Sequence, residues 1–208
     1  THSDDNGLVL PPKLAPIQVV IVPIYKGEEQ LDSISQVAKE LKRELQLLGI
    51  SVKFDDRDTH KPGWKFNEYE LKGVPLRIAI GPRDLEKRTV ELARRDTLTK
   101  ETVSKDDIVS RVQDLLVEMQ KALFDKAKSF RDTHITEVET YDEFKDILEN
   151  KTGFVSAFWD GTKETEERIK TETKATIRCI PLNVKEEEGV CVYSGKPAKM
   201  RVLFAKAY

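Results

Sequence analysis

From Ile17 the run IQVVIVPIY is an almost unbroken series of Val, Ile and other apolar side chains. It limits what this chain can fold into more than any other stretch. A strand that is apolar on both sides has to be covered on both faces, which a lone hairpin cannot do. The next residues meet that demand. After the loop KGEEQLD, residues Ile34, Val37, Ala38, Leu41, Leu45 and Leu48 recur at helical spacing, opposite Lys39, Glu40, Lys42, Arg43 and Glu44. The spacing predicts a helix over roughly 33–48, capped by Asp32 or Ser33 and ended by Gly49. ISVKF at 50–54 is the second strand. Strand, amphipathic helix and strand in this order imply a parallel pair joined by a crossover.

The remainder of the first half extends the same sheet. WKFNEYELKG forms a short helix, PLRIAIG a third strand, and TVELARR at 89–95 alternates with period two, as an antiparallel neighbour does. GPRDLEKR between them reads as a charged turn. Ser104 stands three residues before Asp107 at capping-box spacing, and Ile108, Val112, Leu115, Met119 and Leu123 form the stripe of a helix running to about Lys128. Residues 1–16, stiffened by Pro11, Pro12 and Pro16, read as a connector. Residues 17–130 therefore form an α/β domain, a mixed sheet flanked by helices. Residues 131–208 form a small α+β domain. There Thr140 and Glu143 make a capping pair, with Tyr141, Phe144, Ile147 and Leu148 on the helix they open. GFVSAFW, ATIRCIPL, GVCVY and MRVLFAKAY are strands, Asp160-Gly161 is a turn, KETEERIKTE is a surface helix, and 183–189 is a solvated loop.

Composition excludes several classes. Charged residues make 35% of the chain and no apolar run is long enough to span a bilayer, so no membrane partner is expected. The net charge of -2 excludes a wholly basic nucleic-acid coat and leaves a local basic face open. The opening THSDDNGLVLPP lacks the basic and apolar regions of a secretory signal, and the chain is read as cut from a longer protein. Cys179 and Cys191 are too few for a disulfide scaffold, which predicts a reducing compartment.

Between Asp55 and Asp84 lies the chemically densest stretch, DDRDTHKPGWKFNEYELKGVPLRIAIGPRD. It combines Arg forks, Lys charges, carboxylates and flat rings. This is the equipment for reading unstacked bases of a looped RNA. A charged, rigid turn between two elements is the competing reading. Signatures of catalysis are missing: the sequence has no glycine-rich phosphate loop, nucleophile elbow or HExxH, and His2, His60 and His134 are far apart. Catalysis by these residues alone is not expected.

The runs GLVLPPKLAPIQVVIVPIY, PGWKFNEYELKGVPLRIAIGPRD and TVELARRDT, with VLFAKAY at the end, resemble the C-terminal part of the prolyl-tRNA synthetase family, of its archaeal and eukaryotic-like type. The resemblance covers essentially the entire chain. Residues 1–16 resemble the end of a class II catalytic domain, 17–130 the anticodon-binding domain, and 131–208 the extra C-terminal domain. It implies a ligase that uses ATP and Mg2+ to join L-proline to its tRNA, homodimeric and cytoplasmic, with its catalytic domain upstream. The share falling to these residues is recognition of the proline tRNA anticodon, and the fragment alone is expected to be inactive. By resemblance, Arg57, Lys65, Glu70 and Arg83 take part in that recognition, with Phe66 and Arg77 beside them, and the Tyr208 carboxylate is directed toward the catalytic domain. Locally, Arg57 could equally pair with Asp55 or Asp58, and Glu70 with Lys65 or Lys72. Many relatives hold a structural zinc through cysteines at the positions of Asp160, Thr165, Cys191 and Ser194. Only Cys191 keeps its thiol here, so no metal is expected. A stand-alone RNA- or protein-binding adaptor built from the same domains is the alternative.

Overall fold

The structure, a computed structural model, describes residues 2–182 and 187–206. Tyr208, and most of the loop expected at 183–189, lie outside them. Two units divide the chain, Thr1–Lys126 and Ala127–Tyr208.

In the first unit the opening residues are folded rather than a bare connector. Ser3–Asp4 (β1) and Gly7–Leu8 (β2) pair as a hairpin. Its Asp4 carboxylate accepts two hydrogen bonds, of 2.7 and 2.6 Å, from the buried Arg95 guanidinium. Val19–Pro23 (β3), the apolar run, is buried at every position. It lies between Val52–Phe54 (β4) and Leu76–Ile80 (β5), parallel to both. Helix α1 (Glu28–Leu47) links β3 to β4, and α2 (Pro62–Leu71) links β4 to β5. Helix α1 starts well before the expected Asp32 or Ser33 cap: Gly27 is its N-cap, and the Gln30 side chain accepts from the Lys26 amide.

GPRDLEKR is a helix and not a turn. Its residues Pro82–Lys87 (α3) begin at Gly81, whose amide donates to the Asp84 carboxylate at 2.8 Å. Thr89–Arg94 (β6) then pairs antiparallel with β5 and with Lys100–Ser104 (β7), a strand too polar to stand out in the sequence. The sheet order is β4-β3-β5-β6-β7. Helix α4 (Ile108–Thr133) follows.

One sheet face, with Val19, Ile21, Leu76, Ile78, Leu92 and Val103, packs on Ile34, Leu41 and Leu45 of α1 and on Val112, Leu115 and Met119 of α4. Removing each such aliphatic side chain from water contributes roughly 1.5–3 kcal/mol. On the opposite face, α2 covers β3 through Phe66 and Tyr69 packed with Val20, Val22 and Val74.

The second unit contains Ile135–Glu137 (β8), Tyr141–Asn150 (α5), Phe154–Phe158 (β9), Lys163–Thr173 (α6), Ala175–Cys179 (β10), Gly189–Val190 (β11), Pro197–Ala198 (β12) and Arg201–Lys206 (β13). The sheet order is β10-β13-β9-β8, with β8 and β9 parallel and the other pairs antiparallel. β11 and β12 pair as a separate hairpin. The predicted Thr140–Glu143 capping pair is present in both directions, at 3.3 and 3.1 Å. Phe144 of α5 meets Phe204 of β13 edge-on at 5.1 Å in the middle of this core. β8 and β12 have no sequence signal, being three and two residues long.

Candidate nucleic-acid interface

α2 presents three rows of side chains one helical turn apart. The first, Lys65 and Tyr69, points inward at Asp55, just past the end of β4. Asp55 is 1% exposed, and its carboxylate accepts from Arg57 Nε and Nη2, both at 2.7 Å, and from the Tyr69 hydroxyl at 3.1 Å. The Lys65 ammonium donates to the Asp55 carbonyl at 2.9 Å. Burial alone raises a carboxyl's pKa. Here the Arg57 hydrogen bonds, the Lys65 charge and the Tyr69 hydroxyl outweigh it and hold Asp55 at about 2. Burial pulls the Lys65 ammonium down, partly offset by Asp55, and pushes the Tyr69 hydroxyl up.

The second row is Trp64, exposed at the surface, and the half-buried Glu68. Glu68 accepts from Arg57 and from Lys72, each at 2.5 Å. Trp64 stacks on His60 with ring centres 3.7 Å apart, and the Arg57 guanidinium lies 5.6 Å from the Trp64 ring.

The third row, Phe66 and Glu70, borders the part of the sheet that α2 leaves uncovered. Side chains alternate along a strand, so Arg77 of β5, Glu91 of β6, and Lys100 and Thr102 of β7 share this face, opposite Ile78, Leu92 and Val103. The Arg77 guanidinium sits over Phe66, 3.7 Å from the ring centre, and pairs with Glu91 at 3.3 Å. Lys100 approaches the same Glu91 at 3.6 Å. The result is an aromatic ring against a buried cation, Arg77 being 6% exposed, with the more open Glu91 and Lys100 beside it.

The six sequence-derived residues therefore separate. Phe66 and Arg77 come together, with Arg77 itself only 6% exposed, while Glu70 follows Phe66 one turn along α2 and its charge acts on Arg95. Lys65 is 1% exposed and belongs to the interior, where it neutralises Asp55; its role is to position the β4–α2 junction. Arg57 is also committed to that junction through Asp55 and Glu68, although its side chain stays 37% exposed. Arg83 is exposed on α3, after the C-terminal end of β5. Glu70 pairs with neither Lys65 nor Lys72: Lys72 holds Glu68, and the Glu70 carbonyl accepts from Arg95 at 2.9 Å. Sequence reasoning missed Glu91 and Lys100. The period-two alternation of TVELAR places Glu91 opposite the core, but β7 has to be found before Lys100 can join it.

The positions at which the resemblance implies a zinc site do converge in the second unit, and their donors do not fit the ion. Thr165 and Ser194 donate their hydroxyl protons to the Asp160 carboxylate, at 2.9 and 2.6 Å, instead of offering lone pairs. Cys191 is left as the one sulfur, and zinc sites in proteins are built from several thiolates or imidazoles.

Comparison with known proteins agrees with both units. The family model described as anticodon binding domain matches residues 18–115, and the one described as prolyl-tRNA synthetase, C-terminal, matches 141–208. Curated proteins named proline-tRNA ligase align with the whole chain. They include those of Christiangramia forsetii at 66% identity, Flavobacterium johnsoniae at 64% and Porphyromonas gingivalis at 61%. The chain spans 42% of the length of each of these relatives. It belongs to the prolyl-tRNA synthetase family as its C-terminal part, an anticodon-binding domain followed by the synthetase's C-terminal domain.

Proposed function

We propose that this chain reads the anticodon of proline tRNA on the sheet face where α2 and β5 border the open strands β6 and β7, as the recognition part of a proline-tRNA ligase. The observation that carries this reading is the Arg77 guanidinium over the Phe66 ring at 3.7 Å, paired with Glu91, with Glu70 one turn along α2 from Phe66. A proline anticodon has guanine at its second and third positions. Unstacked guanine offers N7 and O6 acceptors on one edge and N1-H and N2-H donors on another. Arg77 and Lys100 match the first edge, Glu70 and Glu91 the second, and the Phe66–Arg77 stack suits a flat base. Carboxylates repel phosphate, so in an RNA interface they serve base discrimination and not backbone affinity. Attachment of L-proline, with its ATP and Mg2+, falls to the rest of the parent enzyme, which we take to be a cytoplasmic homodimer.

The test is equilibrium binding of the chain and of Glu70→Ala to proline tRNA and to transcripts with each anticodon guanine replaced, at two salt concentrations. A bidentate base contact is worth about 1–3 kcal/mol of discrimination. The variant is therefore expected to lose about tenfold or more of the cognate preference at one position, with little change in nonspecific binding. An unchanged preference would show that Glu70 reads no base.

A further inference from the structure

Away from the RNA face, one carboxylate of the second unit ties together two loops that are far apart in sequence. Asp160 follows β9. Its Oδ1 accepts from the Thr162 hydroxyl at 2.8 Å and the Thr162 amide at 3.1 Å, and its Oδ2 accepts from the Thr165 hydroxyl at 2.9 Å and the Ser194 hydroxyl at 2.6 Å. Thr162 is also the N-cap of α6, accepting from the Thr165 amide. Ser194 lies in the turn joining β11 to β12, closed by the Cys191 amide on the Lys196 carbonyl at 2.8 Å.

Apolar packing runs beside these bonds. Cys191 is 2% exposed and clusters with Phe158, Ala198 and Tyr193. Gly189 approaches the Phe158 ring so closely that a Cβ there would sit 2.3 Å from it. Glu172 of α6 adds a second tie, accepting from the hydroxyls of Tyr141 and Tyr193 at 2.8 and 2.7 Å.

All four acceptor positions of Asp160 are thus occupied, and its donors come from both loops. Asp160 is half-buried, and the four donors replace the water that would otherwise solvate its charge. The hydroxyls that would have to turn outward to ligate an ion are spent on the carboxylate. Among the described residues, no group of three or more His, Cys, Asp or Glu side chains is placed to hold a metal.

We propose that Asp160 is a metal-free clasp. By accepting from Thr162, Thr165 and Ser194 it cross-links the start of α6 to the β11–β12 turn, the mechanical task that a bound ion performs in a metal-stapled domain. The second unit then folds, and keeps these two loops together, without metal.

Ser194→Ala removes the bond between the loops, and the longer one of 3.4 Å from the Lys196 amide within the turn, and leaves the Asp160–Thr162–Thr165 part intact. A hydrogen bond to a charged group contributes about 1.5–3 kcal/mol. Amide hydrogen exchange measured on the full chain is therefore expected to quicken about tenfold or more at Thr162 and Cys191 together, with β9 and β13 unchanged. Asp160→Ala is expected to loosen both loops further. If that variant does not fold, the Ser194→Ala comparison decides. The melting temperature of the unmodified chain is expected to be the same with and without EDTA, and elemental analysis to find no stoichiometric metal. Quickened exchange confined to 191–196 would overturn the clasp. So would one chelatable metal per chain whose removal unfolds the second unit.

Discussion

The Lys65 ammonium donates to the main-chain carbonyl of Asp55 at 2.9 Å and lies 3.9 Å from its carboxylate, with both side chains withdrawn from solvent. This pair fixes the point where β4 hands over to α2, and so the register in which α2 offers Phe66 and Glu70 to the sheet face. A basic residue in a segment rich in recognition chemistry thereby serves the scaffold.

Lys65→Ala should therefore act on stability. Its loss takes the donor from the buried Asp55 carbonyl and leaves Arg57 as the remaining cation at the Asp55 carboxylate, which costs about 1–3 kcal/mol. Urea denaturation of the first unit should show a loss of that order, while whatever folded protein remains keeps its preference among anticodon variants. A wild-type midpoint with weakened RNA discrimination would instead make Lys65 a contact residue.

The same site predicts an acid limb of stability. Asp55 titrates at about 2 when folded, below its ordinary value of 3.8, so the folded state prefers the ionised form. Its contribution is complete above the ordinary carboxylate range and is lost as pH falls through about 2. The size is on the order of 2 kcal/mol. Denaturation midpoints followed from pH 5 to pH 2 should fall, and Asp55→Asn, already less stable at neutral pH, should show a shallower fall over that interval.

The N-terminal hairpin should depend on two glycines. Gly7, at φ +120°, faces the Leu71 backbone, which an added Cβ would meet at 2.6 Å. Gly73, at φ +68°, faces the Leu8 backbone at 2.7 Å. Gly7→Ala should detach the hairpin from the end of α2 and release Asp4 from Arg95, with a stability loss of more than about 1 kcal/mol. Limited proteolysis should then cut within residues 3–10 before any other site; a protected hairpin in the variant contradicts this.

Arg77→Lys preserves the charge beside Glu91 but not the planar group lying on Phe66. A guanidinium stacks and forks where an ammonium does neither. Binding to proline tRNA should weaken about tenfold, with the salt dependence nearly unchanged because the charge count is kept. A variant equal to wild type at both salt concentrations would show that Arg77 supplies only its charge.

Much of the architecture is legible along the chain because it is written in local periodicity. The doubly apolar β3, the helical stripes of α1 and α4 and the alternation of β6 together require a covered mixed sheet, and the Thr140–Glu143 pair marks where α5 starts. β7 is not legible because KETVS is too polar to show a pattern, and β8 and β12 because too few residues repeat for a period to show. Likewise GPRDLEKR has the composition of a turn, and it is the Asp84 carboxylate folding back on the Gly81 amide that makes it a helix. For the candidate site, the sequence by itself singled out a segment and its chemical kinds. Only tertiary structure decided which members face outward. Within α2, neighbouring residues point about 100° apart, so Lys65 meets buried Asp55 while Phe66 meets Arg77, and no reading of composition separates them. Glu91 and Lys100 join Arg77 because β6 and β7 pair beside β5, and Ser194 reaches Asp160 because the β11–β12 turn folds back to the start of α6. Long-range pairing sets such contacts, and a one-dimensional pattern carries no information about it.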